Sequence, residues 1–528
     1  RGCGGGVIDA DTVSVAGGGG VVPCCTIVDW PDFETRGLLH DVTRGKVPTL
    51  GTLKQLVDRL ALLKINQLQL YFEHTFVFPF DEDICRPEDG LTPDEVRELE
   101  VYCRQRFVTL VPAVATFGHM GRILSMPRYR HLAEVEAARS WEEMTWPQRV
   151  RGLTLDCMNP DAHALVQRMW ADVLEAFSAP AVNICGDEPW DLGFGKNKGR
   201  FDETSKGDAY IEQLCRTHDI CASHGRRTQF WSDVIVNYPG RLGRLPRDGT
   251  VLHWGYHDQT DYQATRTFTE TGLDTFVCPG TSGWKRILNA MDLAERNICE
   301  FARAGMKHGA KGLLNTDWGD HGHFNLLAGS WHAIVSGGAL GWNVDHPVGD
   351  AFDASASRFI FGTSDGTGLS LLRAASQIAE RCETWRLFWM PLRAVSTDTT
   401  LPSAEAAEEA REQAARFLRW VNGAEQEDYG DSRDLAELES AARFTALFAD
   451  KVELVHQAGR SSDRSPPARQ AHADLAERIQ QAAGAYESCW RARNKETGLS
   501  DVLRALSGVV ADLRGNPRDG GLAAQKRV

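Results

Sequence analysis

Two adjacent carboxylic acids, Asp187 and Glu188, follow the short apolar run AVNIC and a glycine. Neighbouring carboxylates repel each other, which favours a state in which one keeps its proton while the other is ionised. Such a pair can protonate a leaving oxygen and stabilise the positive charge that develops beside it. Because neighbouring side chains of a strand point to opposite faces, both acids can face one site only if Gly186 allows a turn. A solvated acidic loop is the alternative interpretation of the pair alone.

The other residues that suit such chemistry also flank short apolar runs. They are Arg36 and Asp41, Glu73 and His74, His119, Trp231 and Asp233, Trp254 and Tyr256, and Asp317, Trp318 and Asp320. Aromatic rings stack on the apolar faces of a pyranose, and carboxylates and arginine bind its hydroxyls in forked pairs. If the runs are strands that end at one rim, the set predicts a sugar-binding site. A single tryptophan is as typical of packing, so the prediction depends on the whole set.

Short β-rich runs alternate with amphipathic helical stretches through most of the chain, which is typical of βαβ units in a parallel sheet. Strands are predicted at residues 37–41, 67–72, 107–113, 181–185, 228–231, 251–254, 276–278 and 312–315. Helices are predicted near residues 53–64, 161–177, 209–224, 288–307 and 324–336, and from Thr92-Pro93 onward. Eight such repeats predict an α/β fold, the (β/α)8 barrel, whose sites lie at the carboxyl ends of the strands.

The chain divides into three parts on this interpretation. Residues 1–34 are a glycine-rich N-terminal segment, residues 35–360 are the catalytic barrel, and residues 361–528 are a C-terminal α-helical region. In the last part, apolar residues recur at helical spacing and the strand pattern is lost. The aromatic segment CETWRLFWM at residues 382–390 is either the interface of a homodimer or packing within the chain, and packing is favoured.

Composition and charge exclude several classes of protein. The chain has 58 basic and 72 acidic residues and a net charge of −14, which argues against a nucleic-acid partner and an anionic membrane surface. No apolar run approaches the ~20 residues that span a bilayer. The 13 cysteines are odd in number and form no CxxC pair, which favours a reducing compartment and cytoplasmic localisation. No signal peptide is visible at the start of the sequence, and a removed leader or a truncated start stays open.

Three segments carry a resemblance to a known family. They are the stretch DWPDFETRGLLHDVTRGK from residue 29, the loop ATFGHMG from residue 115 and the run NICGDEPWDLG from residue 183. These segments are similar to motifs of glycoside hydrolase family 20, the β-N-acetylhexosaminidases, and the resemblance covers about residues 27–343. It implies a retaining exo-β-N-acetylhexosaminidase that removes terminal β-linked GlcNAc or GalNAc from an oligosaccharide or glycoconjugate. It implies no metal and no cofactor.

In this family the substrate's own 2-acetamido oxygen attacks the anomeric carbon and forms an oxazolinium intermediate. The resemblance implies that Glu188 donates the proton and later activates water, while Asp187 holds the acetamido N–H. It also implies that Arg36 grips the C3 and C4 hydroxyls and that His119 supports the acid. The remaining implied contacts are Trp231, Trp254 and Trp318 around the acetamido pocket, and Asp320 at the C4/C6 side.

The sequence departs from the family pattern at several positions. Cys185 stands where the common motif has glycine, and Asp320 stands where many members have the longer glutamate. The segment CPGTSGWKRI after the seventh strand lacks the tyrosine that usually binds the acetamido oxygen, so Tyr256 or Tyr71 is a candidate to replace it. The family's usual α/β domain before the barrel is absent or reduced to the N-terminal segment. These departures affect the prediction of which sugar is bound more than the prediction of the mechanism.

Two other functions fit parts of the sequence. One is a barrel that binds amino sugars without cleaving them, although both adjacent acids are present. The other is a metal-dependent barrel hydrolase, whose ligands would be Asp317, Asp320, His321 and His323. The spacing of these four residues matches no closed zinc pattern, so helix capping or hydroxyl binding is favoured for them.

Overall fold

The computed structural model describes residue 26 and residues 28–257, 262–363, 365–396, 398–426, 431–460 and 466–515. Most of the predicted N-terminal segment 1–34 lies outside the described residues, and so does the tail after Gly515.

Eight parallel strands close into a barrel in chain order, which confirms the predicted fold. β1 pairs with β8 to complete the closure, with Leu39 opposite Thr316. All the carboxyl ends therefore meet at one rim. The strands are β1 (Thr35–Asp41), β2 (Gln67–Phe72), β3 (Thr109–Val114), β4 (Ala181–Asn183), β5 (Arg227–Trp231), β6 (Thr250–Trp254), β7 (Asp274–Cys278) and β8 (Gly312–Asp317).

Helices surround the barrel and alternate with its strands. α2 begins at the predicted proline signal, where Thr92 accepts the N–H of Glu95 and the Glu95 carboxylate accepts the N–H of Thr92. This reciprocal pair satisfies two polar groups at the helix start. The helices of this part are α1 (Leu50–Leu62), α2 (Pro93–Arg104), α3 (Gly121–Ser125), α4 (Trp146–Arg151), α5 (Pro160–Ala176), α6 (Glu203–Ser223), α7 (Thr265–Thr269), α8 (Met291–Lys307) and α9 (Trp331–Trp342).

The last helix of the barrel begins later than predicted. Apolar spacing predicts a helix from Phe324, but α9 begins at Trp331, after a 3-10 turn at Leu327–Ser330. Phe324 belongs to a different part of the core, because its ring stacks on that of Tyr486 with centroids 4.7 Å apart. Phe324 is therefore apolar because it packs against the C-terminal region, and not because it belongs to the helix.

The C-terminal region is helical, as predicted. α10 (Asp350–Phe361) precedes the predicted boundary at residue 361. The helices after it are α11 (Thr367–Ser376), α12 (Ile378–Arg381), α13 (Thr384–Trp389), α14 (Leu392–Val395), α15 (Ala404–Gln426), α16 (Ser432–Arg460), α17 (Pro466–Arg493) and α18 (Leu499–Leu513). The aromatic segment at residues 382–390 lies in the core of this region, where Leu387, Phe388 and Trp389 are buried. The segment therefore packs within the chain.

The helical region is bonded to the barrel through a buried carboxylate. Asp434 of α16 lies 2.5 Å from Arg59 of α1, pairs with Arg493 of α17 and accepts the indole N–H of Trp331 at 3.2 Å. A buried ion pair stabilises little by itself, but removing one partner leaves the other charge unpaired. Asp434 therefore fixes how the two parts meet.

The turn between α17 and α18 is bonded to the loop between β1 and α1. The Arg493 carbonyl accepts the N–H of Thr49 at 2.9 Å, and Lys495 donates its N–H to the Val47 carbonyl at 2.8 Å. A Cβ at Gly498 would lie 2.2 Å from the Gly45 carbonyl oxygen, so the two loops approach as closely as glycine permits. The C-terminal helices thereby reach the rim of the barrel.

Within the described residues, no helix is both long and apolar enough to cross a membrane. The ten cysteines in the same part of the chain, from Cys85 to Cys489, are free thiols.

Replacing Asp434 by alanine should lower the free energy of unfolding by about 3 kcal/mol, because partly buried Arg59 would lose its carboxylate and buried Arg493 would keep only Glu437. Urea denaturation followed by tryptophan fluorescence measures this change. Asp474→Ala, at an exposed position of α17, is the control and should change the value by less than about 0.5 kcal/mol. An equally small effect of Asp434→Ala would contradict the proposed anchoring.

Candidate functional site

The chain turns sharply after β4, at the two adjacent acids. The φ angles are positive at Cys185 (58°), Gly186 (85°) and Glu188 (45°). Positive φ is uncommon for residues other than glycine, and it persists where the surroundings hold it. β4 ends before the predicted strand does, because these residues leave the extended conformation. The turn brings Asp187 and Glu188 to the same side, as the sequence requires for a shared site.

Both acids face His119, in the loop after β3. Its Nε2 atom lies 3.4 Å from Oδ2 of Asp187 and 3.3 Å from Oε2 of Glu188, and its Nδ1 donates to the Val150 carbonyl at 2.8 Å. Gly118 makes this approach possible, because a Cβ there would lie 2.3 Å from the Asp187 carbonyl oxygen. His119 is thus oriented toward the acid pair by its backbone partner.

Burial alone would lower the pKa of His119, because a charged imidazolium loses its hydration in the interior. The charge of Asp187, together with hydrogen bonding to Asp187 and Glu188, outweighs burial and raises the pKa of His119 well above its usual value. His119 is therefore positively charged at neutral pH, beside two carboxyl groups.

Two further carboxyl groups at the rim have raised pKa values. Burial raises the pKa of Glu73 to about 7, against the opposing charge of Arg44. Burial, followed by the charge of Asp187, raises the pKa of Asp233 to about 7. Asp233 also accepts the backbone N–H of Glu188 at 3.0 Å, so it holds the turn that carries the acids.

Arg44, in the loop after β1, lies at this rim. Its Nε lies 2.9 Å from Oε1 of Glu73, and its Nη1 lies 2.8 Å from Oδ1 of Asp320. The guanidinium faces the rings of Tyr71 and Trp318, each at 5.0 Å from the ring centroid. A planar guanidinium held in this way presents a rigid fork of donors, which suits paired hydroxyls or a carboxylate.

The prediction that Arg36 belongs to the site is wrong. Arg36 is the second residue of β1, whereas the rim is formed by the other end of the strand. Strands rise about 3.3 Å per residue, so about 17 Å separate Arg36 from the end of β1 at Asp41. Its side chain donates to the carbonyls of Phe33 and Lys64, both at 2.8 Å. Arg36 stabilises the opposite end of the barrel.

Asp320 and Asp317 have different surroundings. Asp320 bonds to Arg44, and its side chain is 20% exposed. Asp317 is buried and accepts hydroxyl donors from Thr281 and Ser330, both at 2.7 Å. A ring nitrogen of His40 lies 2.9 Å from its second oxygen. Asp320 is open to a ligand, whereas the oxygens of Asp317 are used within the protein.

The three predicted tryptophans lie in one aromatic cluster. The Trp318 ring lies 5.8 Å from that of Trp231 and 4.9 Å from that of Tyr71, and its Nε1 donates to the Tyr256 hydroxyl at 2.8 Å. Trp254 stacks on Tyr256 with ring centroids 5.1 Å apart. Trp231 is fully buried, whereas Trp254 is partly exposed at the rim. The cluster therefore has a buried base and an open edge.

The residues of the metal hypothesis do not form a ligand set. Among the described residues, the one group close enough to hold an ion is Glu295, His332 and Asp353, and it excludes all four predicted ligands. Arg373 already occupies this group, with Nη2 3.0 Å from Glu295 and 2.7 Å from Asp353. A guanidinium therefore supplies the positive charge there.

Two residues of the site were missed by sequence reasoning. Arg44 belongs to the segment that carries the family resemblance, and its place after a strand marks it as the better choice than Arg36. Trp284 packs against Tyr256 with ring centroids 4.9 Å apart, six residues beyond β7. No local pattern singles out Trp284, because its place depends on the path of a loop.

Residues 33–284 match the family model described as glycosyl hydrolase family 20, catalytic domain. The matched part includes β1 to β7 and the turn with the adjacent acids. The chain is 25% identical over 252 residues to beta-hexosaminidase 1 of Coccidioides posadasii, which covers 43% of this chain and 41% of that protein. It is 22% identical over 320 residues to human hexosaminidase D, with 56% and 62% covered. The chain thus spans about half the length of these relatives.

Solved structures have the same fold. A chitobiase of Flavobacterium johnsoniae superposes with a TM-score of 0.53 at 15% identity, over 88% of this chain and 79% of that one. A β-N-acetylhexosaminidase of Bacteroides fragilis superposes with a TM-score of 0.52 at 16% identity, over 64% and 72%. At such low identity the likeness establishes the fold alone.

Replacing Asp187 by asparagine should lower the pKa of His119, because the charge that opposes burial is lost. Nuclear magnetic resonance of histidine-labelled protein measures the titration. In the wild type, the stabilisation from charged His119 should be complete below about pH 6.5 and be lost only as the pH rises through its raised folded pKa. Asp191→Asn, a change of a buried carboxylate bonded to Arg151, is the control and should leave this titration unchanged. A wild-type His119 that titrates near pH 6.5 would contradict the coupling.

Proposed function

We propose that the chain, whose residues 33–284 match the catalytic-domain model of glycosyl hydrolase family 20, is a retaining exo-β-N-acetylhexosaminidase. Its substrate is a terminal β-linked N-acetylglucosamine or N-acetylgalactosamine of an oligosaccharide or glycoconjugate. The observation that carries the proposal is that Asp187 and Glu188 face one site with unequal exposure. The side chain of Glu188 is 29% exposed, and that of Asp187 is 10% exposed.

Glu188 is the proton donor in this proposal, because the more exposed carboxyl can reach both the glycosidic oxygen and water. In the first step the bond between C1 and the leaving oxygen breaks, and Glu188 gives its proton to that oxygen. In the second step Glu188 accepts a proton from the water that attacks C1. Charged His119, 3.3 Å away, stabilises the carboxylate between the two steps.

The nucleophile is the acetamido oxygen of the substrate, which bonds to C1 and forms an oxazolinium ion. Of the other carboxylates described at the rim, Glu73 and Asp320 bond to Arg44, Asp317 accepts two hydroxyl donors, and Asp233 accepts the N–H of Glu188. Asp187 accepts the acetamido N–H, which orients the group and offsets the positive charge of the intermediate. Water then replaces the acetamido oxygen on the face from which the aglycone left, so the configuration is retained.

The aromatic cluster surrounds the acetamido group in this proposal, and Arg44 with Asp320 binds the hydroxyls at C3, C4 and C6. Tyr256 is the better candidate for the missing tyrosine. Its hydroxyl accepts the indole N–H of Trp318 at 2.8 Å and therefore lies within the aromatic cluster. The Tyr71 hydroxyl instead faces Glu73 at 3.2 Å.

The binding-only barrel is the second candidate, and the presence of both acids with charged His119 argues against it. The metal-dependent hydrolase has no ligand set at the rim among the described residues. Formation of a homodimer and cytoplasmic localisation stay predictions from the sequence.

Replacing Glu188 by glutamine should lower kcat at least about 100-fold on an aryl β-N-acetylglucosaminide, because the proton donor is lost. Asp187→Ala should cause a comparable loss, because the acetamido group is no longer oriented. Release of the aryl alcohol measures both rates. Asp191→Asn, in the same loop, is the control and should stay near the wild-type rate. If the wild type cleaves the plain aryl β-glucoside equally fast, catalysis by the acetamido group is refuted.

Replacing Arg44 by lysine should lower kcat/KM about 10- to 100-fold, because one ammonium cannot reproduce the forked contacts of a guanidinium. The matched control is Arg36→Lys, the same change at the opposite end of the barrel, which should leave kcat/KM nearly unchanged. The two variants are compared on one substrate after their thermal stability has been measured. The reverse order of effects would restore Arg36 as the binding residue.

A further inference from the structure

The loop after β8, which carries Asp320, has an unusual backbone conformation. The φ angles are positive at three consecutive residues, His321 (64°), Gly322 (88°) and His323 (50°). Two of the three are not glycine, and such residues keep a positive φ only where the surrounding structure holds them. The position of Asp320 therefore depends on the contacts that hold this loop.

The end of β1 and the loop that follows it hold the loop after β8 at both of its ends. Asp41 accepts the N–H of Gly319 at 3.0 Å, and the ammonium of Lys46 donates to the Asn325 carbonyl. Arg44 lies between these two in the sequence and bonds to a carboxylate of the same loop. Three residues from one side of the closure between β1 and β8 therefore bond to three places along the loop on the other side.

The two loops also touch along their backbones. A Cβ at Gly45 would lie 2.6 Å from the Gly322 carbonyl oxygen and 3.0 Å from the Cβ of His323. Any side chain at this position would push the loops apart, so glycine is what allows them to approach. The two loops therefore pack together as one unit, which includes Lys46.

Lys46 is buried, and its surroundings decide whether it is charged. Burial lowers the pKa of Lys46 to about 8, and the charges of Glu437, Asp317 and Asp41 oppose that effect. The side chain is therefore an ammonium ion at neutral pH. Because charged donors form stronger hydrogen bonds than neutral ones, the Asn325 carbonyl is held firmly at the end of the loop.

The C-terminal helical region supplies two of the groups around Lys46. Glu437 of α16 is buried, accepts the N–H of Ala328 at 2.7 Å and lies 3.0 Å from Nε of Arg493. The Lys46 ammonium also lies 6.0 Å from the ring centroid of Trp490 in α17. A nearby carboxylate and an aromatic face both favour the charged form of a lysine. The helical region therefore stabilises the cation that holds the loop after β8.

We propose that Lys46 is a positioning residue of the sugar site, and that Glu437 makes the C-terminal helical region part of that site. Lys46 does not contact the substrate. It fixes the loop after β8, and through this loop it sets the place at which Asp320 and Arg44 bind the sugar hydroxyls. The inference rests on the proposed function, because it takes Asp320 as a group that contacts the sugar.

Replacing Lys46 by methionine should raise KM about tenfold on an aryl β-N-acetylglucosaminide and change kcat less than about twofold, because sugar binding is weakened and the acid pair is untouched. In a chain that already carries Asp320→Ala, the same replacement should leave KM nearly unchanged, since the contact that Lys46 positions is already lost. Release of the aryl alcohol over a range of substrate concentrations measures both constants. Lys46→Arg keeps a charged donor and should restore most of the lost binding.

The control for this replacement is Lys451→Met. Lys451 is a second buried lysine whose ammonium donates to backbone carbonyls, those of Leu387 and Phe388 in α13, and it bonds to no loop of the rim. Its replacement should lower the thermal stability of the protein and leave KM unchanged. If both lysine variants raise KM equally, or if the effects of Lys46→Met and Asp320→Ala multiply, Lys46 acts only through the stability of the fold and the proposal is overturned.

The contribution of the C-terminal region is tested by Glu437→Gln. The amide still accepts the N–H of Ala328 but no longer carries the charge that favours the Lys46 ammonium, so KM should rise about threefold. Glu439→Gln, two residues further along α16 at a partly exposed ion pair with Arg443, is the matched control and should leave KM unchanged. An unchanged KM in Glu437→Gln overturns the part of the proposal that concerns the helical region.

The proposed function and the role of Lys46 can fail separately. An active wild type whose KM is the same in Lys46→Met refutes the positioning role and leaves the proposed function standing. If the wild type cleaves no N-acetylhexosaminide, the proposed function fails, and nuclear magnetic resonance of histidine-labelled protein decides on Lys46. The signal of His321, the neighbour of Asp320, should then move in Lys46→Met and keep its wild-type position in Lys451→Met. An unmoved His321 signal in Lys46→Met overturns the inference.

Discussion

The guanidinium of Arg44 is the charge around which the rim of the barrel is organised. It comes from the loop after β1 and bonds to carboxylates that follow β2 and β8, the two strands that pair with β1. A buried cation costs several kcal/mol unless its partners compensate for lost hydration. The three loops are therefore held at the spacing that satisfies Arg44. The rings of Tyr71 and Trp318 exclude water from the same group and strengthen its interactions.

A second cation, His119, faces the two carboxyl groups of the acid pair, Asp187 and Glu188. Arg44 pairs with Glu73 and Asp320 of two other loops and lies 3.8 Å from Asp41, whereas His119 faces two carboxyl groups of one other loop. The rim therefore combines a polar part, in which charges are paired across loops, with an aromatic part around Trp318 and Tyr256. A sugar ring with an amide substituent has the same two kinds of surface.

Much of this arrangement follows from the sequence. The alternation of strands and helices predicts the barrel, and the strand-end rule brings Asp187, His119 and the tryptophans to one rim. Arg36 shows a limit of prediction from motifs. The segment that resembles the family contains both Arg36 and Arg44, and only their places relative to β1 show which of the two reaches the rim. The place of Phe324 shows a second limit, since an apolar side chain does not reveal which core it enters. Asp233 is evident in the sequence as an acid after a strand, but its raised pKa depends on neighbours that only the fold brings together.

The contact between the turn after α17 and the loop after β1 affects the order in which the parts of the chain fold during synthesis. Thr49 is bonded to Arg493, and Val47 to Lys495, so the two partners are separated by more than 400 positions of the chain. Chains fold from the N-terminus as they are synthesised, and contacts between distant positions form last. The barrel can close once β8 has emerged from the ribosome, but the loop beside Arg44 still lacks its support at that moment. The rim is therefore completed only after residues 493–495 have emerged, and a chain released before them would have a closed barrel without this contact.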